Sequence, residues 1–97
     1  MRYNITIQIR AKEEFFDAMR WYEMQRKGLG DELELCFEET LEILRRNPLY
    51  EIRHNNVRIL NIRRFPYQVV YTVEGNQIDV ISFYHAHRDP ENWKNLK

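Results

Sequence analysis

The stretch VRILNIRRFPYQVVYTVEGNQIDVISFY, residues 57–84, holds three short runs rich in β-branched and aromatic residues, and its punctuation decides how they connect. Val57–Arg63, Tyr67–Glu74 and Gln77–Tyr84, or slightly beyond, read as strands. Gly75-Asn76 between the last two has the form of a two-residue hairpin turn, and Phe65-Pro66 interrupts the first pair. The expected result is an antiparallel meander.

Upstream the period changes from two to about 3.6. Leu33, Phe37, Leu41 and Leu44, joined by Cys36 and Ile43, form a helical stripe opened by the capping-box pattern Asp31…Glu34 and closed before Asn47-Pro48. Leu49–Asn56 after it is polar and irregular. An earlier stripe of Phe15, Met19 and Tyr22, widened by Phe16, Ala18 and Trp21, predicts a helix from Lys12 to Lys27 that stops at Gly28 and Gly30. So short a connection folds the two helices into an antiparallel hairpin.

At the chain start Tyr3, Ile5, Ile7 and Ile9 alternate with Asn4, Thr6, Gln8 and Arg10, the pattern of a half-buried strand that must join the sheet. Beyond the meander, Asp89-Pro90-Glu91 reads as the start of a turn or two of helix carrying Trp93 and Leu96. The order strand, helix, helix, three strands predicts an α+β fold, with the helical hairpin on one face of a small antiparallel sheet.

Composition narrows the function. The 97 residues suffice for one domain, 1–97, with a thin core, so a site is expected to be a shallow groove or a surface. The single cysteine, Cys36, excludes a disulfide framework and any CxxC motif, and reads as a packed thiol. No apolar run is long enough to span a bilayer, so no membrane partner and a cytoplasmic location are expected. Fifteen basic and fifteen acidic residues cancel, which argues against indiscriminate nucleic-acid binding. Residues 1–48 carry net −2 and residues 49–97 net +2, so an anionic target would meet the second half.

Several residues carry candidate chemistry. Arg58, Arg63 and Arg64 suit carboxylate or phosphate, or else solubilise an exposed strand. His85 and His87 would share a face if the last strand runs through them, as an acid/base pair or as structural imidazoles. Two ligands do not make a zinc site, and no spacing supplies a third, so neither metal nor cofactor is expected. Arg88 beside Asp89 is a functional arginine or a local ion pair. Tyr67, Tyr71 and Tyr84 read first as packing and second as stacking or partner contacts. Trp93 reads as an anchor for the tail. Trp21 and Met24 lie partly off the buried stripe and are candidates for an exposed apolar patch facing a partner.

Taken together, WYEMQ at 21–25 with Gly28-Leu29-Gly30, the helix end LEILRRNP, Arg63-Arg64-Phe65-Pro66-Tyr67 with Val70-Tyr71, and His85-Ala86-His87-Arg88-Asp89-Pro90 with Trp93 resemble the RelE/ParE superfamily of toxins from type II toxin–antitoxin (plasmid stabilisation) systems. The matches keep the family's order over residues 21–93. The resemblance implies a growth-arresting protein masked by a cognate antitoxin. RelE-like members are ribosome-dependent mRNA endonucleases, and ParE-like members inhibit DNA gyrase through protein contact. Gln68, where the nuclease branch often has arginine, and the FPY and HRDPENW runs tilt the resemblance toward ParE. On that reading Arg58, Arg63, Arg64, Tyr67, Arg88, Trp93, Trp21 and Met24 are candidates for contacting gyrase or antitoxin. On the RelE reading the partners are ribosome and message, with His85, His87 and Arg88 catalytic. A third alternative is an inactive toxin-like interaction module.

Overall fold

A computed structural model describes residues 2–87. The elements are β1 (Asn4–Ile7), α1 (Ile9–Gln25), α2 (Leu29–Arg46), β2 (Ile52–His54), β3 (Val57–Asn61), β4 (Tyr67–Glu74) and β5 (Gln77–His85). The five strands form one sheet in the order β1-β5-β4-β3-β2. The meander is as expected, with Glu74 paired to Gln77 across Gly75-Asn76 and Gly75 at φ +62°. The Asp89-Pro90 helix start lies outside the described residues.

Four details differ from the sequence reading. First, β1 pairs with β5 in parallel, Asn4 with Gln77 through Ile7 with Val80, so the sheet is mixed rather than wholly antiparallel. Side-chain alternation fixes which face a strand buries and not which neighbour it takes. Second, the strand stops at Ile7 and α1 begins at Ile9, which is 74% exposed and not on the buried face. Third, the segment read as irregular contains the short strand β2, and β3 ends at Asn61 instead of Arg63. Fourth, Asp31 does not cap α2. The N-cap is Gly28 at φ +91°, a left-handed conformation that glycine adopts without steric cost.

The cap of α2 comes instead from α1. The Glu23 carboxylate accepts the backbone N–H groups of Gly28 and Gly30, each at 2.9 Å, so a side chain of the preceding helix satisfies donors that helix geometry leaves open. Those two bonds, Gly28's first, hold the Glu23 carboxyl below the usual carboxylate range. A Cβ on Gly30 would stand 2.9 Å from the Met19 carbonyl oxygen, so the glycine is what lets the helices approach. Because the folded-state pKa of Glu23 is depressed, its contribution is present above the unfolded carboxylate value and is lost as pH falls through the lower folded one. Glu23→Gln is therefore expected to lower the melting temperature at pH 7 and to reduce the further loss that the wild type shows on acidification. Parallel thermal melts at pH 7 and pH 3 measure both.

The hairpin packs on one face of the sheet. Ala11, Phe15 and Ala18 of α1 and Leu33, Cys36, Phe37, Leu41 and Leu44 of α2 meet Val69, Tyr71, Ile78, Val80 and Phe83. Phe83 is the hub, with its ring edge-on to Phe15 and Phe37 and stacked on Tyr67 at 4.7 Å. Tyr71 is wholly buried; its hydroxyl donates to the Pro48 carbonyl at 2.8 Å, and burial pushes its pKa up to about 12. The opposite sheet face carries a second buried cluster of Val57, Val70, Ile81 and Tyr84. Tyr71 and Tyr84 are thus packing residues.

Candidate functional site

The candidate residues of the second half gather where β4 begins and β5 ends. β5 stops at His85 and the chain turns through Ala86 and His87, so the two histidines do not continue one strand face as expected. The turn is held by Ala86 N–H donating to the Pro66 carbonyl at 2.8 Å and by His87 N–H donating to His85 Nδ1 at 3.1 Å. Their rings still lie 5.3 Å apart, and the His85 ring meets Tyr67 edge-on at 5.1 Å. Phe37, Phe15, Phe83, Tyr67, His85 and His87 therefore form a continuous column of rings from the core to the surface.

That column sets what the imidazoles can do. A ring nitrogen that accepts a backbone N–H carries no proton, so neutral His85 holds its proton on Nε2. In that tautomer the Nδ1 lone pair is engaged, and the ring has no second lone pair with which to take a proton from a hydroxyl. Beside it lies an open groove of about 360 Å³ lined by Asn61, Phe65, Pro66, Tyr67, Gln68, Ala86 and His87. Among the described residues lining it there is no arginine or lysine.

The three arginines of the meander go elsewhere. Arg58 sits on the helix-facing side of β3, opposite Tyr71, and donates to the Tyr50 carbonyl. Arg63 pairs with Glu39 of α2 at 3.1 Å. Arg64, in the left-handed region at φ +74°, pairs with Glu32 at 2.6 Å, and its guanidinium lies 5.6 Å from the Phe65 ring centre. Glu32 also takes Arg26, and hydrogen bonds from the two guanidiniums, Arg64's first, hold its carboxyl below the usual range. The loop between β3 and β4 is thereby tied to α2. Arg88 and Trp93 lie outside the described residues.

A chain of the chromosomal ParDE toxin–antitoxin system from P. aeruginosa superposes with a TM-score of 0.77 over 89% of this chain and 98% of that one, at 13% identity. The chain has the RelE/ParE-like fold. The YoeB dimer from Staphylococcus aureus is 22% identical over 87% of this chain and 97% of its own, with a TM-score of 0.47, too low to argue a shared fold. No protein-family model matches the sequence, and no curated protein does.

In this RelE/ParE-like fold, Trp21 and Met24 are on the outer side of α1, 56% and 83% exposed, so Trp21, like Phe16, does not widen the buried stripe as expected, whereas Ala18 does. Trp21 also borders a second groove of about 230 Å³, with Glu14, Asp17, Ala18, Phe83 and Tyr67, so the Tyr67 ring forms a wall of both grooves. Glu14 is the residue that sequence reading passed over. Its Oε1 accepts the Ser82 hydroxyl at 2.7 Å and the Phe83 N–H at 3.0 Å. β1 accompanies β5 only to Val80, and a bulge follows at Ile81, so a carboxylate from α1 takes over the edge that the departing strand leaves. The signal was present: Glu14 stands three residues after Ala11 and four before Ala18, beside the buried stripe. Among the described residues no cluster of three metal-binding side chains occurs, and no helix is long and apolar enough to cross a membrane.

Proposed function

We propose that this protein is the toxin of a type II toxin–antitoxin system, that it arrests growth by binding DNA gyrase, and that a cognate antitoxin neutralises it. The fold likeness at TM-score 0.77 to the ParDE chain carries the reading. The chemistry at the end of the sheet supports binding over phosphodiester cleavage. An endonuclease needs a base to deprotonate a 2′-hydroxyl and a cation to offset charge on the phosphorane. Here the Nδ1 of His85 accepts the His87 N–H, and Arg58, Arg63 and Arg64 are bound to a carbonyl or to glutamates, which leaves the exposed His87 as the imidazole that a cleavage reaction would have to use. What the groove offers is a half-buried tyrosine, a proline and an exposed histidine, which suit a protein contact.

Pulse labelling of DNA and protein synthesis within minutes of induction, without antitoxin, tests this. DNA synthesis is expected to fail first, with strand breaks, and His87→Ala is expected to lower toxicity only in step with gyrase affinity, without abolishing it. If protein synthesis fails first with message cleavage, and His87→Ala abolishes it, the protein is instead an RNA endonuclease acting at the ribosome, and His85, His87 and Arg88 are its site.

A further inference from the structure

Between the outer edges of the two helices lies a groove of about 350 Å³ that the sheet-end site does not use. Its floor is apolar, made by Ile7 of β1, Phe15 of α1 and Phe37 of α2, and Phe16, 47% exposed, stands at its side. Its two rims differ in sign. Glu34 and Glu38 line it from α2, one helical turn apart, and Lys12 lines it from α1. All three are exposed, and none of their side chains forms an ion pair or hydrogen bond within the described residues, unlike those of Glu32, Glu39 and Glu42 on α2. An exposed phenylalanine over an apolar floor, edged by charges that the fold leaves unpaired, is arranged for a ligand that brings both apolar area and charge.

We infer that this groove is the docking site for a basic amphipathic segment of a partner protein, one whose apolar ridge lies on Phe16 and Phe37 and whose lysine or arginine flank faces Glu34 and Glu38. Charge complementarity selects the occupant: two carboxylates on the α2 rim attract cations and repel an acidic segment, while Lys12 opposite favours an acceptor on the other flank and so fixes the segment's direction. An amphipathic helix meets these demands, because positions three and four apart share a face and the flanking positions carry the charge. The inference does not depend on which enzyme or assembly the protein arrests.

The test uses the full chain and two synthetic amphipathic peptides with the same leucine ridge, one with lysine along one flank and the other with glutamate in its place. Binding is followed by fluorescence anisotropy at low and high salt, and the site is mapped by amide chemical shifts. The lysine peptide is expected to bind at least about tenfold tighter than the glutamate peptide, with the margin shrinking as salt rises. Its shifts are expected to centre on Lys12, Phe16, Glu34 and Glu38. Glu34→Lys with Glu38→Lys should reverse the preference, and Phe16→Ser should weaken both peptides while far-UV circular dichroism stays unchanged. Equal binding of the two peptides, no binding of either, shifts centred elsewhere, or indifference to the Glu34 and Glu38 changes would each overturn the assignment. Should Phe16→Ser unfold the chain, the exposed glutamate pair decides alone.

Discussion

Phe83→Ala is expected to destabilise the protein by about 3–5 kcal/mol, the cost of deleting a large aromatic side chain from a packed core and leaving a cavity. The ring is 2% exposed and is shared by Phe15, Phe37 and Tyr67, so three neighbours lose a partner at once. A small domain has a total stability of roughly 5–15 kcal/mol, so the variant should melt far below the wild type or fail to fold at growth temperature. The effect should also reach the sheet end, because Tyr67 is stacked on Phe83 and His85 leans on Tyr67. Urea unfolding followed by tyrosine and tryptophan fluorescence measures the first effect. The milder Phe83→Leu, with the shifts of the His85 ring protons as the readout, isolates the second.

Glu14→Ala is the other change with a large expected cost. It orphans the Ser82 hydroxyl, which is wholly buried, and the Phe83 amide, and each unsatisfied buried donor costs about 1–3 kcal/mol. On the order of 3 kcal/mol in all is expected, although the residue removed is charged, sits on a helix surface and would pass for a solvent-facing glutamate. Native-state hydrogen exchange gives the specific signature. The Phe83 amide should lose protection by more than the global loss of stability explains, and Glu14→Gln, whose carbonyl oxygen can still accept one bond, should recover part of it. A loss no larger than that of Glu13→Ala, a neighbour with no such partners, would show that the carboxylate does not hold the strand.

Where residues interact with near neighbours in sequence, the fold was legible. The stripes Phe15-Met19-Tyr22 and Leu33-Phe37-Leu41-Leu44 mark the buried faces because helical period is a local property, and Gly75-Asn76 marks its hairpin for the same reason. The same periodicity placed Met24 outside the core, while Phe16 and Trp21, at the margin of the stripe, turn out exposed. Misreadings fall where the partner is distant or the pattern coincidental. Ile9 continues the alternation of Tyr3, Ile5 and Ile7 by one position, yet it opens a helix. Asp31…Glu34 has the form of a capping box, but α2 already begins at Leu29, so Asp31 lies inside its first turn and the open donors are those of Gly28 and Gly30, which Glu23 of the preceding helix takes. β2 is only three residues long, with an irregular register, and offers too few side chains for a pattern to emerge.

The candidate site was less legible than the fold. That Arg63 would find Glu39 and Arg64 would find Glu32 depends on how the loop between β3 and β4 drapes over α2, and no spacing in the sequence encodes contacts 24 and 32 positions apart. The pairing of His85 and His87 was read as two positions on one strand face, whereas a turn brings the rings together. Chemical type was visible in each case, and availability was not: the guanidiniums that looked free to meet an anion are engaged within the molecule.

The parallel pairing of Asn4–Ile7 with Gln77–Val80 has a consequence for the order of events when the chain is made. β1 leaves the ribosome well before β5, its partner, and the edge it occupies cannot form until synthesis has passed Val80. Until then the helical hairpin has local contacts of its own, but β4 lacks the neighbour that joins it to β1, and the Glu14 carboxylate has no strand to hold. Contacts so far apart in sequence form slowly, because a long loop must close before they stabilise anything. A chain cut short before β5 therefore loses the strand that joins β1 to the rest of the sheet, and its aromatic column ends without Phe83. Emergence of β5 thus acts as a timer on the assembly of the sheet and the surface at its end.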